Sequence, residues 1–409
     1  MVITSSGLGH QVGQQGRLYS KKEIFMNRYL AIIMLFNLIF SQNNNKSIDP
    51  NSLSKIQAQR LEEKLYNDYK EGLLLSRNAE MKARSIKINN REIKFDLKFF
   101  GNRPENGWEL YFNLHGGGQT TKDENDRNWN RHKTLYQLKN GILFTPRSPT
   151  NTWNMWHQSH VDTFFNRIIQ NMIAFHDVNP NRIYLMGRSA GGDGVYQLAP
   201  RMADRFAAAA MSAGHPNEAS PLGLRNIPFA IHMGELDHRY NRNKVAVDWG
   251  NQLKALQKND PGGYEYFVKI YKGKPHWMDN LEASALIWMS DFIRNPYPEK
   301  IIWRQDDVLH ERFYWLKNIN PTVGDLIEAE IDGQIININS STVSDIIIQL
   351  NDNFIDMDKK VVVNYRGKNL YNGYVSRNEN IIKDSIVEYG DPQSVYYGQI
   401  SLSLFEQKL

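Results

Sequence analysis

Apolar and polar positions along the chain fall into four successive textures. Behind Met26-Asn27-Arg28, the residues from Tyr29 to Phe40 form a short apolar run that ends at Ser41-Gln42. From Ser52 to about Arg84, Leu, Ala and Ile recur at helical spacing among Glu, Lys and Gln. That spacing predicts a long amphipathic helix, broken near Gly72. From about residue 90, strand-length apolar runs alternate with amphipathic stretches. Strands are predicted over Lys94–Phe99, Glu109–Leu114, Ile142–Phe144, Arg182–Met186, Ala207–Met211, Phe229–Met233 and Tyr266–Tyr271. Helices are predicted over about 159–176, 190–204, 243–258 and 281–293. Such alternation predicts an α/β fold, a mostly parallel central sheet with helices on both faces.

Beyond Pro296-Tyr297-Pro298 the pattern shortens into β-branched runs: Leu326–Ile331, Ile335–Ile338, Ile346–Leu350, Val361–Val363 and Ile400–Leu404. Turn pairs such as Asp332-Gly333 and Arg366-Gly367 separate them, which predicts a small C-terminal all-β module, a sandwich or a barrel. The expected organisation is a leader and signal peptide over 1–41 and a helical extension over 42–89. A catalytic domain over 90–298, a connecting segment over 299–321 and the β-rich module over 322–409 follow.

Composition narrows the functional classes. The 409 residues are 41% hydrophobic and 11% aromatic, enough for a large core. The net charge of +5 is spread over intermixed basic and acidic residues without a dense basic stripe, so no nucleic-acid partner is expected. The absence of cysteine excludes disulfides, thiolate nucleophiles, zinc–thiolate sites and a lipid-anchored cysteine. The apolar run of residues 29–40 is shorter than the roughly 20 residues a membrane span needs, and its basic start and small polar end fit a secretory signal peptide. Met26 is then the expected true start, and a periplasmic or secreted protein without stable membrane insertion is the expected product.

The strongest chemical motif is Gly187-Arg188-Ser189-Ala190-Gly191, between the apolar strand Arg182–Met186 and a helix-like run. A serine on so tight a strand–turn–helix corner presents its hydroxyl at the sheet edge, beside a helix N-terminus. His115-Gly116-Gly117-Gly118 follows the strand Glu109–Leu114. Glycines let backbone amides approach a developing oxyanion, so Gly116 or Gly117, together with Ala190, are the candidate donors. The strand Phe229–Met233 leads into Gly234-Glu235-Leu236-Asp237. Asp237 is preferred over Glu235 as the acid because it lies deeper in the loop. For the base, His238 adjoins the acid and cannot easily face it, and His310 lies past the last helix of the domain. His276, in Gly273-Lys274-Pro275-His276-Trp277 after the last strand, is the choice. His115 and His232 are expected to be structural, and Asp193 to offset the helix dipole.

Residues 90–295 resemble the α/β-hydrolase superfamily. The HGGG, GRSAGG, GELD and GKPHWM segments occur in its order, and the flavour is similar to polyhydroxybutyrate depolymerases, feruloyl esterases and prolyl-oligopeptidase-like hydrolases. The resemblance implies an ester hydrolase with Ser189 as nucleophile, His276 as general base, Asp237 as its orienting acid, and no cofactor or metal. Export then points to a carbohydrate esterase acting on small-molecule or polysaccharide-linked esters. The alternatives are a prolyl-oligopeptidase-type peptidase and an inactive glycan-binding protein on the same fold. Trp153, Trp156 and His157 are candidates for an aromatic wall that stacks on substrate. The short connection from Ser212 to about Asn226 predicts no large cap and an open site.

Overall fold

A computed structural model describes residues 51–405. The expected leader, signal peptide and most of the polar tail lie outside the described residues. The described residues belong to one compact unit. No described helix is long and apolar enough to cross a membrane.

The described residues open with α1 (Lys55–Ser76), whose capping box pairs Ser54 Oγ with the Gln57 amide at 3.3 Å and Gln57 Oε1 with the Ser54 amide at 2.8 Å. The short α2 (Asn78–Ala83) follows. The break falls at Arg77, not at Gly72, which sits inside α1. Arg77 leaves helical geometry and donates to Gln170 and Asn171, each at 2.9 Å, so a tertiary anchor sets the kink. The expected helical extension also ends early, because Ser85–Ile88 is already a strand, β1.

There follow β2 (Arg91–Phe100), β3 (Trp108–Leu114), α3 (Lys122–Leu135), β4 (Gly141–Arg147), α4 (Ser159–His176) and β5 (Val178–Arg188). Then come α5 (Ala190–Arg201), β6 (Ala208–Ser212), β7 (Phe229–Gly234), α6 (Arg242–Asn259), β8 (Tyr266–Tyr271) and α7 (Ser284–Ser290). The eight strands form one sheet in the order β1-β2-β4-β3-β5-β6-β7-β8, antiparallel at β1/β2/β4 and parallel from there on. The central strands β4, β6 and β7 are buried at every position, as a sheet covered on both faces requires. The edge strand β8 alternates instead. Helix α4 buries Val161, Phe164, Phe165, Ile168, Ile169 and Met172 on one stripe. Phe165 packs against Phe112 of β3 with ring centroids 4.8 Å apart, and each such ring contributes roughly 1.5–3 kcal/mol by burial.

Past α7 come β9 (Lys300–Arg304), β10 (Arg312–Phe313), β11 (Leu316–Lys317), β12 (Leu326–Asp332), β13 (Ile335–Ser341), β14 (Asp345–Leu350), β15 (Val361–Tyr365), β16 (Lys368–Gly373), α8 (Glu379–Tyr389) and β17 (Gly398–Ser403). They build a five-stranded sheet, β16-β15-β13-β12-β9, and a four-stranded one, β10-β11-β14-β17. Trp303 of one stacks on Phe313 of the other at 5.8 Å. Two corrections follow. The expected connecting segment 299–321 supplies β9, β10 and β11, because Ile301, Trp303 and Leu316 are needed in the shared core. The module is also not all-β, since α8 covers it with Ile382 and Ile386.

The seam between the α/β part and the module buries charge. Arg201 pairs with Asp162 at 2.6 Å, and His310 Nε2 meets the same carboxylate at 2.9 Å. Arg294 pairs with Asp391 at 2.6 Å and donates to Asp204 O at 2.6 Å. Tyr314 donates to Ala203 O at 3.0 Å. Helix α1 touches both parts: Lys70 pairs with Asp177 at 2.9 Å, the Leu53 amide donates to Arg377 O at 3.1 Å, and Tyr397 donates to Glu62.

Candidate active site

The chain leaves β3 toward β4 on one side and reaches β5 on the other, so a crevice opens at the C-terminal ends of β3 and β5. Ser189 sits there, between β5 and α5, with φ 58° and ψ −124°. A non-glycine residue in that conformation is strained, and neighbouring small residues make the corner feasible. A side chain at Gly187 would overlap Gly191 O, and one at Gly191 would overlap Leu114 O. The Ser189 amide is anchored on Ser212 O at 2.9 Å.

Three residues distant in sequence converge. His276 Nε2 lies 3.0 Å from Ser189 Oγ, and His276 Nδ1 lies 2.6 Å from Asp237 Oδ2. Asp237 is buried and acceptor-only, so Nδ1 carries the proton and Nε2 is left to accept from the serine hydroxyl. The competing acid Glu235 is exposed and accepts from the Gly273 amide at 2.7 Å, which ties the loop of the acid to the loop of the base. His238 is exposed beside Asn243, and His310 belongs to the seam. Arg188 donates to His276 O at 3.0 Å, and its guanidinium stacks on Trp277 at 3.8 Å, with Arg131 on Trp277 at 4.0 Å.

The glycine loop runs against the serine: a side chain on Gly116 would meet Ser189 Cβ at 3.1 Å. His115 is more than a core residue. Its Nε2 accepts from the Ser148 amide at 3.1 Å, so its Nδ1–H donates to Gly116 O at 2.7 Å. Holding that carbonyl turns the N–H of the same trans peptide, which belongs to Gly117, the opposite way. Between the two candidate donors, the geometry therefore favours Gly117. The Gly117 amide has no hydrogen-bond partner among the described residues. Burial holds His115 down at about 3, so it stays neutral. Next along, the Gly118 amide donates to Asn125 Oδ1 at 2.9 Å. Ala190 is the first residue of α5, where the amide N–H groups are free of helical partners.

The aromatic wall needs correction. Trp153 is 51% exposed and lines the cleft, as expected. Trp156 is fully buried. Its Nε1 donates to His115 O at 3.0 Å and its ring meets the His115 ring at 5.2 Å, so it braces the glycine loop from beneath. His157 is buried too. Its ring packs edge-on to Trp153 at 5.4 Å and its carbonyl accepts from Arg201. Turn geometry in this loop points only the first of the three outward.

Two clefts meet at the serine. One of about 1210 Å³ is lined by Gly117, Trp153, Asp193, His215, Tyr240 and Arg242. One of about 410 Å³ is lined by Gly116, Asn128, Arg131, Arg188 and Trp277. Among the described residues no element caps them, in line with the short connection after β6. Asp193 accepts from the His215 amide at 2.6 Å, and burial pushes it up to about 6 although Arg242 and His276 pull it down. Among the described residues, no cluster of His, Asp or Glu has the geometry of a metal site.

Strand order, the strained serine corner and the succession Ser189, Asp237, His276 define an α/β-hydrolase fold. No family model and no curated protein sequence matches the chain significantly. Among solved structures, a thermostable esterase aligns over 51% of this chain and 62% of its own, at 20% identity and a TM-score of 0.39. The feruloyl esterase module from Clostridium thermocellum aligns over 51% and 86%, at 14% identity and a TM-score of 0.36. A putative dipeptidyl aminopeptidase IV from Bacteroides ovatus aligns over 51% and 35%, at 14% identity and a TM-score of 0.38.

Proposed function

We propose that this protein is a serine hydrolase of carboxylic esters that works through an acyl-enzyme. The observation that carries the reading is the relay from Ser189 Oγ through the His276 ring to Asp237, at 3.0 Å and 2.6 Å, on a strained corner beside a glycine loop. His276 Nε2 takes the hydroxyl proton as Ser189 Oγ attacks the ester carbonyl. The tetrahedral oxyanion accepts from the amides of Gly117 and Ala190, each donor being worth roughly 3–4 kcal/mol. Asp237 stabilises the imidazolium, which then protonates the departing alcohol. Water, deprotonated by His276, releases the acyl group and restores the serine.

The uncapped cleft and exposed Trp153 support a bulky, polysaccharide-linked ester as the substrate. The basic–apolar–polar order of residues 26–42 supports export to the periplasm or the medium. The test is fluorophosphonate labelling of the full chain, followed by a panel of acetyl, feruloyl, longer-chain p-nitrophenyl and aminoacyl substrates. Labelling at Ser189 with ester turnover is expected. Turnover confined to aminoacyl amides would favour a peptidase, and absence of labelling would leave a non-catalytic glycan-binding protein.

A further inference from the structure

Arg242 is one of the charged groups of the large cleft that acyl transfer does not use. It opens α6, is only 8% exposed, and lines the cleft beside Asp193 and His215. Its Nε has no hydrogen-bond partner, and among the described residues no carboxylate lies within ion-pairing distance of it. The contact its guanidinium does make is with the face of Tyr240, 4.9 Å away. Of the two acidic groups on the same cleft, Asp237 pairs with His276, and Asp193 accepts from the His215 amide and attracts Arg242 only from beyond ion-pairing distance. The buried Nε thus lacks a hydrogen-bond partner, and the attraction to Asp193 acts without a direct ion pair, so the guanidinium on the cleft wall has no close partner to satisfy it.

The start of α6 points the same way. It reads Arg242-Asn243-Lys244, with no acidic residue in the first turn and no side-chain cap from Asn241. Cations at the positive end of a helix have the wrong sign for stability. The two residues before Arg242, Tyr240 and Asn241, both hold left-handed backbone at φ 57° and 56°. Arg239 stands exposed at the same mouth, its guanidinium bonded to Tyr240 Oη at 3.0 Å. Several local rules are broken together on one wall of a cleft, which is the pattern of a binding site.

We infer that this wall is a carboxylate-binding subsite, so that the esters hydrolysed carry a free carboxylate, as on a uronic acid unit, paired with Arg242. The planar fork of Arg242 suits two parallel hydrogen bonds to a carboxylate, and the positive end of α6 adds to the attraction. The inference rests on the ester-hydrolase reading and extends it to the substrate class.

The experiment compares matched esters on the full chain. Acetylated methyl glucuronide is set against acetylated methyl glucoside, and the p-nitrophenyl monoester of glutarate against its methyl-capped diester. The first pair places the carboxylate on the alcohol side, the second on the acyl side. In one of the pairs the acidic member is preferred in kcat/KM by about tenfold or more, and the preference shrinks as salt rises. Arg242→Gln abolishes that ratio and Arg242→Lys keeps part of it. A measurement that needs no variant is inhibition of neutral-ester hydrolysis, where glucuronate competes and glucose does not. Equal kcat/KM within both pairs, or equal inhibition by the two sugars, would overturn the subsite and leave the ester hydrolase standing. No turnover of any ester, together with no fluorophosphonate labelling, would instead overturn the reading on which the subsite rests.

Discussion

The cleft and the seam both bury arginine, and they treat it in opposite ways. At the seam, Arg201, Arg205, Arg294 and Arg312 each have a carboxylate within 4.0 Å, from Asp162, Asp391 or Glu388. In the cleft, Arg242 has none. A charge neutralised from within holds two parts of a chain in one register. A charge left open at a cavity wall is available to something that arrives from outside. Backbone strain does not follow this division: Ser189, Tyr240 and Asn241 carry positive φ around the cleft, and Tyr314 carries it at the seam.

The comparison can be broken first at its catalytic end. Ser189→Ala is expected to lower kcat by on the order of 10⁶ without changing the melting temperature, read by ester turnover and thermal unfolding. The seam responds the other way. Arg294→Met removes the closest partner of buried Asp391 and is expected to cost about 3–5 kcal/mol of stability, with kcat below the transition unchanged. An unaltered melting temperature would show that the seam charges hold nothing together. Smaller is the effect of His115→Gln, expected to lower kcat by roughly 10–100-fold with little change in KM, because the Gly117 amide loses its orientation. Stability against pH separates the two regions most finely. Burial pushes Asp162 up, but Arg201 and His310 more than offset it, so it is held below the usual carboxylate range. Its contribution is complete above about pH 4 and is lost as pH falls through its depressed folded value; Asp162→Asn should flatten that acid limb. Asp193 is raised to about 6, so the stability linked to its neutral form is present below about pH 4 and lost as pH rises through 6. Asp193→Asn should remove that slope, measured by denaturant unfolding at several pH values.

Much of this was legible in the sequence, because the Ser189 corner, the glycine loop and the His276 loop are local motifs whose backbone demands are written in adjacent residues. The parallel sheet was legible because its buried strands are continuous apolar runs. Helix α3 was not. Its sequence, KDENDRNWNRHKTL, has no apolar stripe, and it docks through polar groups, as Asn113 donates to His132 O at 2.9 Å and Asn125 holds Gly118. Trp156 and His157 were assigned to the wall because a loop sequence does not say which side chains turn inward. Segment 299–321 was read as a connector, and within it β10 and β11 are two residues each, too short for any periodicity. Arg242 left a trace that went unused: a helix beginning Arg-Asn-Lys, where acidic residues are the rule.

The position of α1 sets the order in which this protein can be completed. Its helix leaves the ribosome first among the described elements, yet its bonds from Leu53 to Arg377 and from Glu62 to Tyr397 span more than three hundred residues. Such contacts close very long loops and form late. During synthesis the apolar side of α1 therefore waits without its final neighbours, open to chaperones. The α/β part gains this clasp only once the segment carrying Arg377 and Tyr397 has emerged.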